Sequence, residues 1–521
     1  MTRTFPKRSG GDVVARVPGV TDGNVPVAHG PARMVIFTPH ALPFIYRSLL
    51  CLITHRRDPG ILTAGQGVLF VNALTASPAR TAAVPSETLR SLLVKYWGYP
   101  AFRPHQEAII ASVMGGNDTL AILTTGSGKS LCYQLPAVYL GGLTLVVSPL
   151  LALMKDQVDA LNARGIPAAS WNSLLDAAGR SRIESALREG SLRLLFVSPE
   201  RCLQPGFLEF LQEFPVRLIA IDEAHCISEW GHDFRPEYRD LARLRTCFPA
   251  APVIALTATA APAVRRDICE QLGLKKTREF VGSFHRENLE YRVVKKKNPL
   301  VQLADICCRH RGESGIVYCL SKKETEECAA DLRKRGFAAV AYHAGLSRPV
   351  RETVQDAFLK NASRIVCATV AFGMGIDKPD VRFVVHYDLP KSIEAYYQET
   401  GRAGRDGRPA ECILLYSRGD AVRIRFMLDH DGAGDKAART AQKKLRDMVG
   451  YCETAGCRRQ FLLAYFGENT RRENCNLCTS CTRESPVPEG KGRTRRSSGR
   501  SGSSTSSRVT VSRRPYPIPS V

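Results

Sequence analysis

Thr119-Leu120-Ala121-Ile122-Leu123-Thr124-Thr125-Gly126-Ser127-Gly128-Lys129-Ser130 decides how the rest of the chain is read. Its first five residues form the apolar run of a buried strand, and Leu131-Cys132-Tyr133-Gln134-Leu135 opens a helix behind it. Strand, glycine turn and helix N-terminus together make a phosphate cradle. Glycines let backbone N–H groups turn toward an anion, and the helix end adds partial positive charge. Lys129 can then reach the β- and γ-phosphates, and the Ser130 hydroxyl can ligate Mg²⁺. Leu123 stands where the strict phosphate-loop pattern has glycine, so this is the shorter G-x-G-K-S form.

Outward from that loop, apolar runs recur, each ending in a polar tag. Leu143–Val147 leads into Ser148-Pro149, Leu194–Val197 into Ser198-Pro199, Leu218–Ile221 into Asp222-Glu223-Ala224-His225, and Val253–Leu256 into Thr257-Ala258-Thr259. Continuous apolar runs are the signature of strands buried on both faces of a parallel sheet. Open α/β sheets bind ligands at the carboxyl ends of such strands. An ATP-binding domain is therefore expected over 85–285. A second series begins at Gly315-Ile316-Val317-Tyr318, closes at Cys412–Tyr416 and has no phosphate loop, giving a second parallel-sheet domain over 286–430. The expected fold class is α/β, with two tandem sheet domains, a small helical cysteine-bearing module over 431–483, and poorly structured ends.

Composition narrows the class of partner. The 521 residues carry 73 Lys and Arg against 50 Asp and Glu, a net charge of +23, which points toward a polyanion. Twelve of the 17 cysteines are scattered from Cys51 to Cys412, often within apolar runs, as expected of core residues in a reducing, cytoplasmic setting. The apolar stretch from Met34 to Ile53 is interrupted by His40, Pro43 and Arg47, which argues against a membrane span. Residues 1–84 show no sustained periodicity, and Ser86-Glu87-Thr88-Leu89 marks the first helix, with Ser86 as its expected cap.

Chemistry gathers at three places. Asp222 and Glu223 complement Lys129 and Ser130: one carboxylate can hold Mg²⁺ and its neighbour can activate a water against the γ-phosphate. In Gln398-Glu399-Thr400-Gly401-Arg402-Ala403-Gly404-Arg405, two arginines three apart are expected on one helix face, where they can neutralise charge on a transferring phosphoryl group. Cys475-x₂-Cys478-x₂-Cys481, with Cys457 18 residues before Cys475, has the spacing of a closed four-thiolate zinc site, with an iron–sulfur cluster as the alternative. Cys452 lies five residues before Cys457 and reads as a core residue or an exchanging ligand.

Taken in order, these motifs resemble those of superfamily 2 helicases. Cys226-Ile227-Ser228-Glu229-Trp230-Gly231-His232-Asp233-Phe234-Arg235 is similar to the aromatic-rich loop of RecQ-family DNA helicases. Phe102-Arg103-Pro104-x-Gln106, Tyr342-His343-Ala344-Gly345-Leu346 and Ala371-Phe372-Gly373-Met374-Gly375-Ile376-Asp377-Lys378-Pro379 match further motifs of that family, and Arg458-Arg459 with Leu462–Glu468 resembles its zinc-binding subdomain. The resemblance implies that Phe102, Arg103 and Gln106 serve the adenine, and that Thr125, Gly126, Ser127, Gly128, Lys129 and Ser130 hold the phosphates. Asp222 would serve the metal, Glu223 would be the base and Arg405 the arginine finger, with Gln398 and Arg402 beside it. Trp230, His232, Phe234, Arg235 and Thr369 would contact single-stranded DNA. ATP, Mg²⁺ and Zn²⁺ follow as cofactors, and single-stranded and partly duplex DNA as partners, with no membrane and the protein acting as a monomer.

The implied activity is ATP-dependent 3′–5′ DNA unwinding in repair and recombination. About forty residues follow Cys481, rich in Ser, Arg and Gly, and they show no apolar periodicity. A short form without the family's winged-helix and C-terminal helical DNA-binding domains is therefore expected, ending in a basic tail over 484–521. That expectation keeps open a second reading, a DNA-stimulated ATPase that remodels or anneals strands without productive unwinding.

Overall fold

A computed structural model describes residues 85–172, 175–231, 233–373, 378–430, 435–469 and 474–482. The N-terminal arm over 1–84, the basic tail, His232 and the 374–377 part of the Ala371–Pro379 motif lie outside the described residues.

Seven strands form the first sheet: β1 Thr119–Ile122, β2 Leu143–Val147, β3 Ala168–Trp171, β4 Leu194–Val197, β5 Val216–Ile221, β6 Val253–Thr257 and β7 Arg278–Val281. Their spatial order is β3-β4-β2-β5-β6-β1-β7, with every recorded pairing parallel. Side chains alternate between two buried faces. In β2, Leu143, Leu145 and Val147 join one apolar cluster while Val146 joins the other, which is why the strand is apolar throughout. The second sheet comprises β8 Leu289–Lys295, β9 Ser314–Tyr318, β10 Ala339–Tyr342, β11 Ile365–Ala368, β12 Val381–His386 and β13 Ala410–Tyr416, ordered β10-β11-β9-β12-β13-β8 and also parallel.

Each sheet carries helices on its faces, as parallel strands require of their crossovers. After the second sheet come helices Arg418–His430, Asp435–Glu453 and Arg458–Tyr465 and the short turn Thr479–Thr482. One apolar cluster runs from the first sheet through the second into this helical region, including Leu445, Met448, Leu462 and Phe466. Among the described residues no helix is long and apolar enough to cross a membrane.

Two local expectations are corrected. The first helix spans Ser86–Trp97, but its cap position is Pro85 and no side chain caps it; the Ser86 hydroxyl instead bonds Glu107. The helix bearing Gln398 ends at Thr400, so Arg402 and Arg405 lie in the following turns rather than on one helix face. Gly404 there adopts φ +57°, a left-handed conformation that breaks a helix.

Candidate active site

The phosphate loop turns at Gly126 and Gly128, with φ of +84° and +81°. Ser127 closes the turn by donating from its N–H (3.1 Å) and hydroxyl (2.6 Å) to the Thr124 carbonyl. The helix Leu131–Leu140 starts directly behind. Gln106 is buried and clamped on this loop: its amide donates to the carbonyls of Ser127 (3.2 Å) and Gly128 (3.0 Å), while its Oε1 accepts from the Arg103 N–H (2.8 Å). A Cβ on Gly128 would come within 2.5 Å of that amide. The Arg103 guanidinium bonds the Gly126 carbonyl, and Phe102 packs on the apolar cluster of Leu89, Leu93 and Ile110. Lys129 donates to the Leu123 carbonyl at 3.2 Å. Burial lowers its pKa, while the Glu223 and Asp222 carboxylates work in the opposite direction.

Asp222 and Glu223 leave the carboxyl end of β5, two strands from β1. Burial first, and then repulsion from Glu223, raise the Asp222 carboxyl to about 7, with Lys129 opposing. Its Oδ1 accepts from the Glu223 N–H at 3.0 Å, and its carbonyl accepts from the Tyr238 hydroxyl at 3.0 Å. Glu223 sits at φ +47°, an uncommon conformation for a residue with a side chain and one that concentrates at working sites. Its Oε2 is buried without a hydrogen-bond partner among the described residues, an acceptor left open. His225 Nδ1 lies 3.4 Å from that oxygen and 2.8 Å from Thr257 Oγ1, which also accepts from the Thr259 N–H at 3.2 Å. The ends of β5 and β6 are thereby joined.

The second sheet supplies the other wall. Arg405 Cγ lies 3.7 Å from the position a Cβ on Gly126 would take, and a Cβ on Gly401 would lie 3.8 Å from Thr125 Oγ1. Gln398 and the largely buried Arg402 line an adjoining cleft of about 580 Å³, together with Thr369, Phe234 and Lys444.

At the edge of that cleft, Trp230 and Phe234 are 38% and 36% exposed, unusual for large rings anchored in an ordered loop. The loop is held from below: Ser228 donates to Asp267 at 2.5 Å, and Gly231 leaves no room for a Cβ, which would meet the His225 carbonyl at 2.3 Å. Arg235 is engaged with Asp233 (3.2 Å) and the Pro149 carbonyl (3.4 Å). From the helix Asp435–Glu453, Lys444 bonds the Gly231 carbonyl and Lys443 lies 5.9 Å from the Trp230 ring.

Cys457, Cys475, Cys478 and Cys481 bring their sulfurs within 4.8 Å of one another. The contacts Cys475–Cys481 (3.8 Å) and Cys457–Cys478 (4.0 Å) are close to the ~3.8 Å edge that Zn–S bonds of ~2.3 Å impose on a tetrahedron. Cys478 Sγ accepts from the Arg458 N–H at 3.4 Å and Cys475 Sγ from the Cys478 N–H at 3.3 Å, bonds suited to thiolates. Four thiolates at this geometry suit zinc. Cys452 is buried outside the group, and its carbonyl accepts from Arg458 at 3.2 Å.

Several residues to which the sequence assigns no part in the ATP chemistry converge on the same site. Arg286 and Asn288, between the sheets, bond the carbonyls of the Arg402–Arg408 segment, while Glu468 and Arg459 bind the stretch Ser283–Leu289. For Arg286 and Asn288 the one signal is the polar run Ser283-x-His285-Arg286-Glu287-Asn288 where the first sheet series ends. Nothing in the sequence marks Lys444.

Comparison with known proteins agrees with this architecture. Residues 103–268 match the DEAD/DEAH box helicase family, residues 295–407 the helicase conserved C-terminal domain and residues 418–482 the RecQ zinc-binding family. Among solved structures, a DUF1998 helicase MrfA bound to DNA and AMPPNP superposes with a TM-score of 0.54 at 19% identity, covering 74% of this chain and 57% of that one. The helicase Lhr of Mycobacterium smegmatis, bound to ssDNA and AMP-PNP, superposes with a TM-score of 0.51 at 21% identity, covering 70% and 57%. At these identities the likeness concerns the fold alone. The "ATP-dependent DNA helicase RecQ" of Pasteurella multocida is 47% identical over 395 residues, 75% of this chain and 62% of that protein. Its Haemophilus influenzae counterpart is 46% identical over 406 residues, 78% and 65%. The "RecQ-like DNA helicase blm-1" of Caenorhabditis elegans is 43% identical over 409 residues, 76% and 41%. The chain thus spans under two thirds of the length of these relatives. With two helicase domains and a RecQ zinc-binding region in sequence, and nearly half of its residues shared with RecQ proteins across three quarters of its length, the chain belongs to the RecQ family.

Proposed function

We propose that this chain is an ATP-dependent DNA helicase that moves 3′ to 5′ along single-stranded DNA and separates duplex ahead of it, in DNA repair and recombination. The observation that carries the reading is Arg405 of the second sheet lying against Gly126 of the first, with Lys129, Asp222 and Glu223 gathered behind the loop. The working domains are an ATP-binding domain over 85–285, a C-terminal helicase domain over 286–430 and a zinc-binding subdomain over 431–483. Polarity and pathway rest on likeness to the RecQ relatives.

Loop N–H groups and Lys129 hold the phosphates of ATP, and Phe102, Arg103 and Gln106 serve the adenine. Glu223 orients a water and takes its proton as oxygen bonds to the γ-phosphorus. Arg405, with Arg402 and Gln398 beside it, neutralises the charge that builds on the transferring group. Ser130 and Asp222 suit Mg²⁺, which when bound neutralises charge on the β- and γ-oxygens; a carboxyl as costly to ionise as Asp222 gains most from a cation beside it. Because loop and finger belong to different sheets, ATP draws the cleft closed and hydrolysis releases it. Trp230, Phe234, Arg235 and Thr369 grip single-stranded DNA at that cleft, the rings stacking on bases without reading sequence, and His232 is a further DNA contact. Zinc, closed off by four protein ligands, serves folding.

Strand separation of a 3′-tailed duplex, with a 5′-tailed duplex and Lys129→Ala alongside, tests the reading. Unwinding of the 3′-tailed substrate alone, lost in the variant, is expected. DNA-stimulated hydrolysis without strand separation would overturn it in favour of a remodelling ATPase.

A further inference from the structure

The segment from Gly282 to Asn288 joins the two sheets, and its contacts reach three functional parts at once. Toward the finger loop, the Arg286 guanidinium donates to the carbonyls of Ala403 (3.0 Å), Gly404 (2.9 Å) and Gly401 (3.5 Å). The Asn288 amide donates to the carbonyls of Gly404 (2.8 Å) and Arg408 (2.8 Å). Gly404 alone permits this approach, since a Cβ there would lie 2.4 Å from the Asn288 amide nitrogen. Toward the phosphate loop, Gly282 donates to the carbonyl of Ile122, the last residue of β1 (2.8 Å).

Toward the zinc-binding region, Glu468 accepts from the Phe284 N–H (2.7 Å) and the Ser283 hydroxyl (2.7 Å). The Phe284 ring stacks on Phe466 at 4.5 Å and 8°. Arg459 bonds His285 Nε2 (2.9 Å) and the Leu289 carbonyl (2.6 Å). Tyr397, on the helix that precedes the finger loop, donates to the Phe284 carbonyl at 2.7 Å. The first domain grips the same region, with Arg265 bonding the Phe466 carbonyl (2.7 Å).

The segment bearing Arg402 and Arg405 is a run of turns whose carbonyls cannot be satisfied by a regular ladder. Linker side chains satisfy those of Gly401, Ala403, Gly404 and Arg408, while the second sheet holds the loop from the other side through Gly404 N–H to Val381 (2.9 Å) and Asp406 N–H to Pro379 (3.2 Å), so a shift of the linker moves the loop against a fixed anchor. The linker, in turn, stands where Glu468 and Arg459 hold it. We infer that the zinc-binding region, beyond its own folding, sets the placement of Arg405 against the phosphate loop, with Arg286 and Asn288 as positioning residues and Glu468 as the tie between linker and module. This rests on the reading of Arg405 as the finger.

The test uses the full chain with its zinc and single-stranded DNA, in variants Arg405→Ala, Asn288→Ala, Arg286→Ala, Arg286→Lys and Glu468→Gln. Measured are kcat and KM for ATP, the affinity for ADP with aluminium fluoride relative to ADP alone, zinc content and Tm. Asn288→Ala and Arg286→Ala are expected to lower kcat about 10- to 100-fold, the cost of misplacing a catalytic group by an ångström. KM should stay within about twofold, because ground-state binding is not what these residues serve. Glu468→Gln should cost about three- to tenfold, as a coupling residue one step removed. ADP–aluminium fluoride binding should weaken in proportion to kcat, Arg286→Lys should restore part of the loss, and Asn288→Ala should add little to Arg405→Ala.

Unchanged kcat in the linker variants, or losses fully additive with Arg405→Ala, would overturn the inference. So would losses that follow Tm rather than aluminium fluoride affinity. A full-rate Arg405→Ala would instead overturn the finger reading itself. If Arg286→Ala fails to fold, Arg286→Lys and Glu468→Gln give the same discrimination.

Discussion

His225 Nδ1 and Thr257 Oγ1 share a buried hydrogen bond of 2.8 Å that ties the end of β5 to the end of β6. Glu223 Oε2 stands 3.4 Å from the same imidazole nitrogen, and Thr257 also accepts from the Thr259 N–H. The imidazole beside the base is thus fixed by the next strand. His225→Ala and Thr257→Ala should each lower kcat for ATP about tenfold, less than the roughly 10²- to 10⁴-fold that a general base itself contributes, because they act through it. The double variant should lose little more than either single one, because the two side chains act through one bond. Steady-state hydrolysis with saturating DNA checks this.

Asp222 carries a pH signature. Its carboxyl is raised to about 7 by burial and by Glu223, while in the unfolded chain it titrates near the ordinary value of 3.8. Between those values the folded state binds the extra proton, so Asp222 makes stability fall as pH rises from about 4 to 7 and flattens it above. Asp222→Asn removes that slope. Its Tm relative to the parent should rise from pH 4 to pH 7 and hold constant to pH 8, measured without nucleotide. Conversely, Mg²⁺–ATP binding should weaken in the parent below pH 7, where the carboxyl must first lose a proton.

Trp230 presents its ring at the cleft edge with a lysine 5.9 Å away. Trp230→Ala should weaken single-stranded DNA binding by about 1–3 kcal/mol, the value of one base–aromatic stack. Fluorescence anisotropy of a labelled oligonucleotide measures it. Phe234→Ala should act in the same direction.

Zinc should be present at about one per chain and be lost in Cys478→Ala. Without it, Leu462, Leu463 and Phe466 lose the frame that buries them, so Tm should drop and the helix Arg458–Tyr465 should become open to protease. Metal analysis together with limited proteolysis reads both effects. An intact fold and full Tm in the metal-free protein would refute the assignment.

The motor's outline was legible because it is written in short, local patterns. Buried parallel strands must be apolar on both faces, so β2, β4, β5 and β6 stand out as runs, and the glycines of the phosphate loop are required by backbone conformations a Cβ would strain. The strands β3, β7 and β8 left weaker traces. β3 buries only its end residues Ala168 and Trp171, β7 buries none fully, and β8 alternates, Leu289, Tyr291 and Val293 inward with Glu290 and Arg292 at the more exposed positions. Spacing suggested a helix through Arg405, but Gly401 and Gly404 follow its last turn, and the loop's carbonyls find their partners on Arg286 and Asn288.

From sequence alone came the two-sheet α/β architecture, the phosphate loop with its acidic pair, the exposed aromatic stretch and the four cysteines. Each is specified by residues close together in the chain, where backbone conformation, apolar periodicity and ligand spacing act directly. Only the tertiary structure decided that Arg405 meets Gly126, that Gln106 and Arg103 rest on the phosphate loop, and that Glu468 and Arg459 grip the linker holding the finger loop. Most of those contacts join ordinary polar side chains to backbone N–H or carbonyl groups, often more than a hundred residues away. No local preference encodes such a pair; it exists because packing of the two sheets and the zinc-binding region brings donor and acceptor within reach.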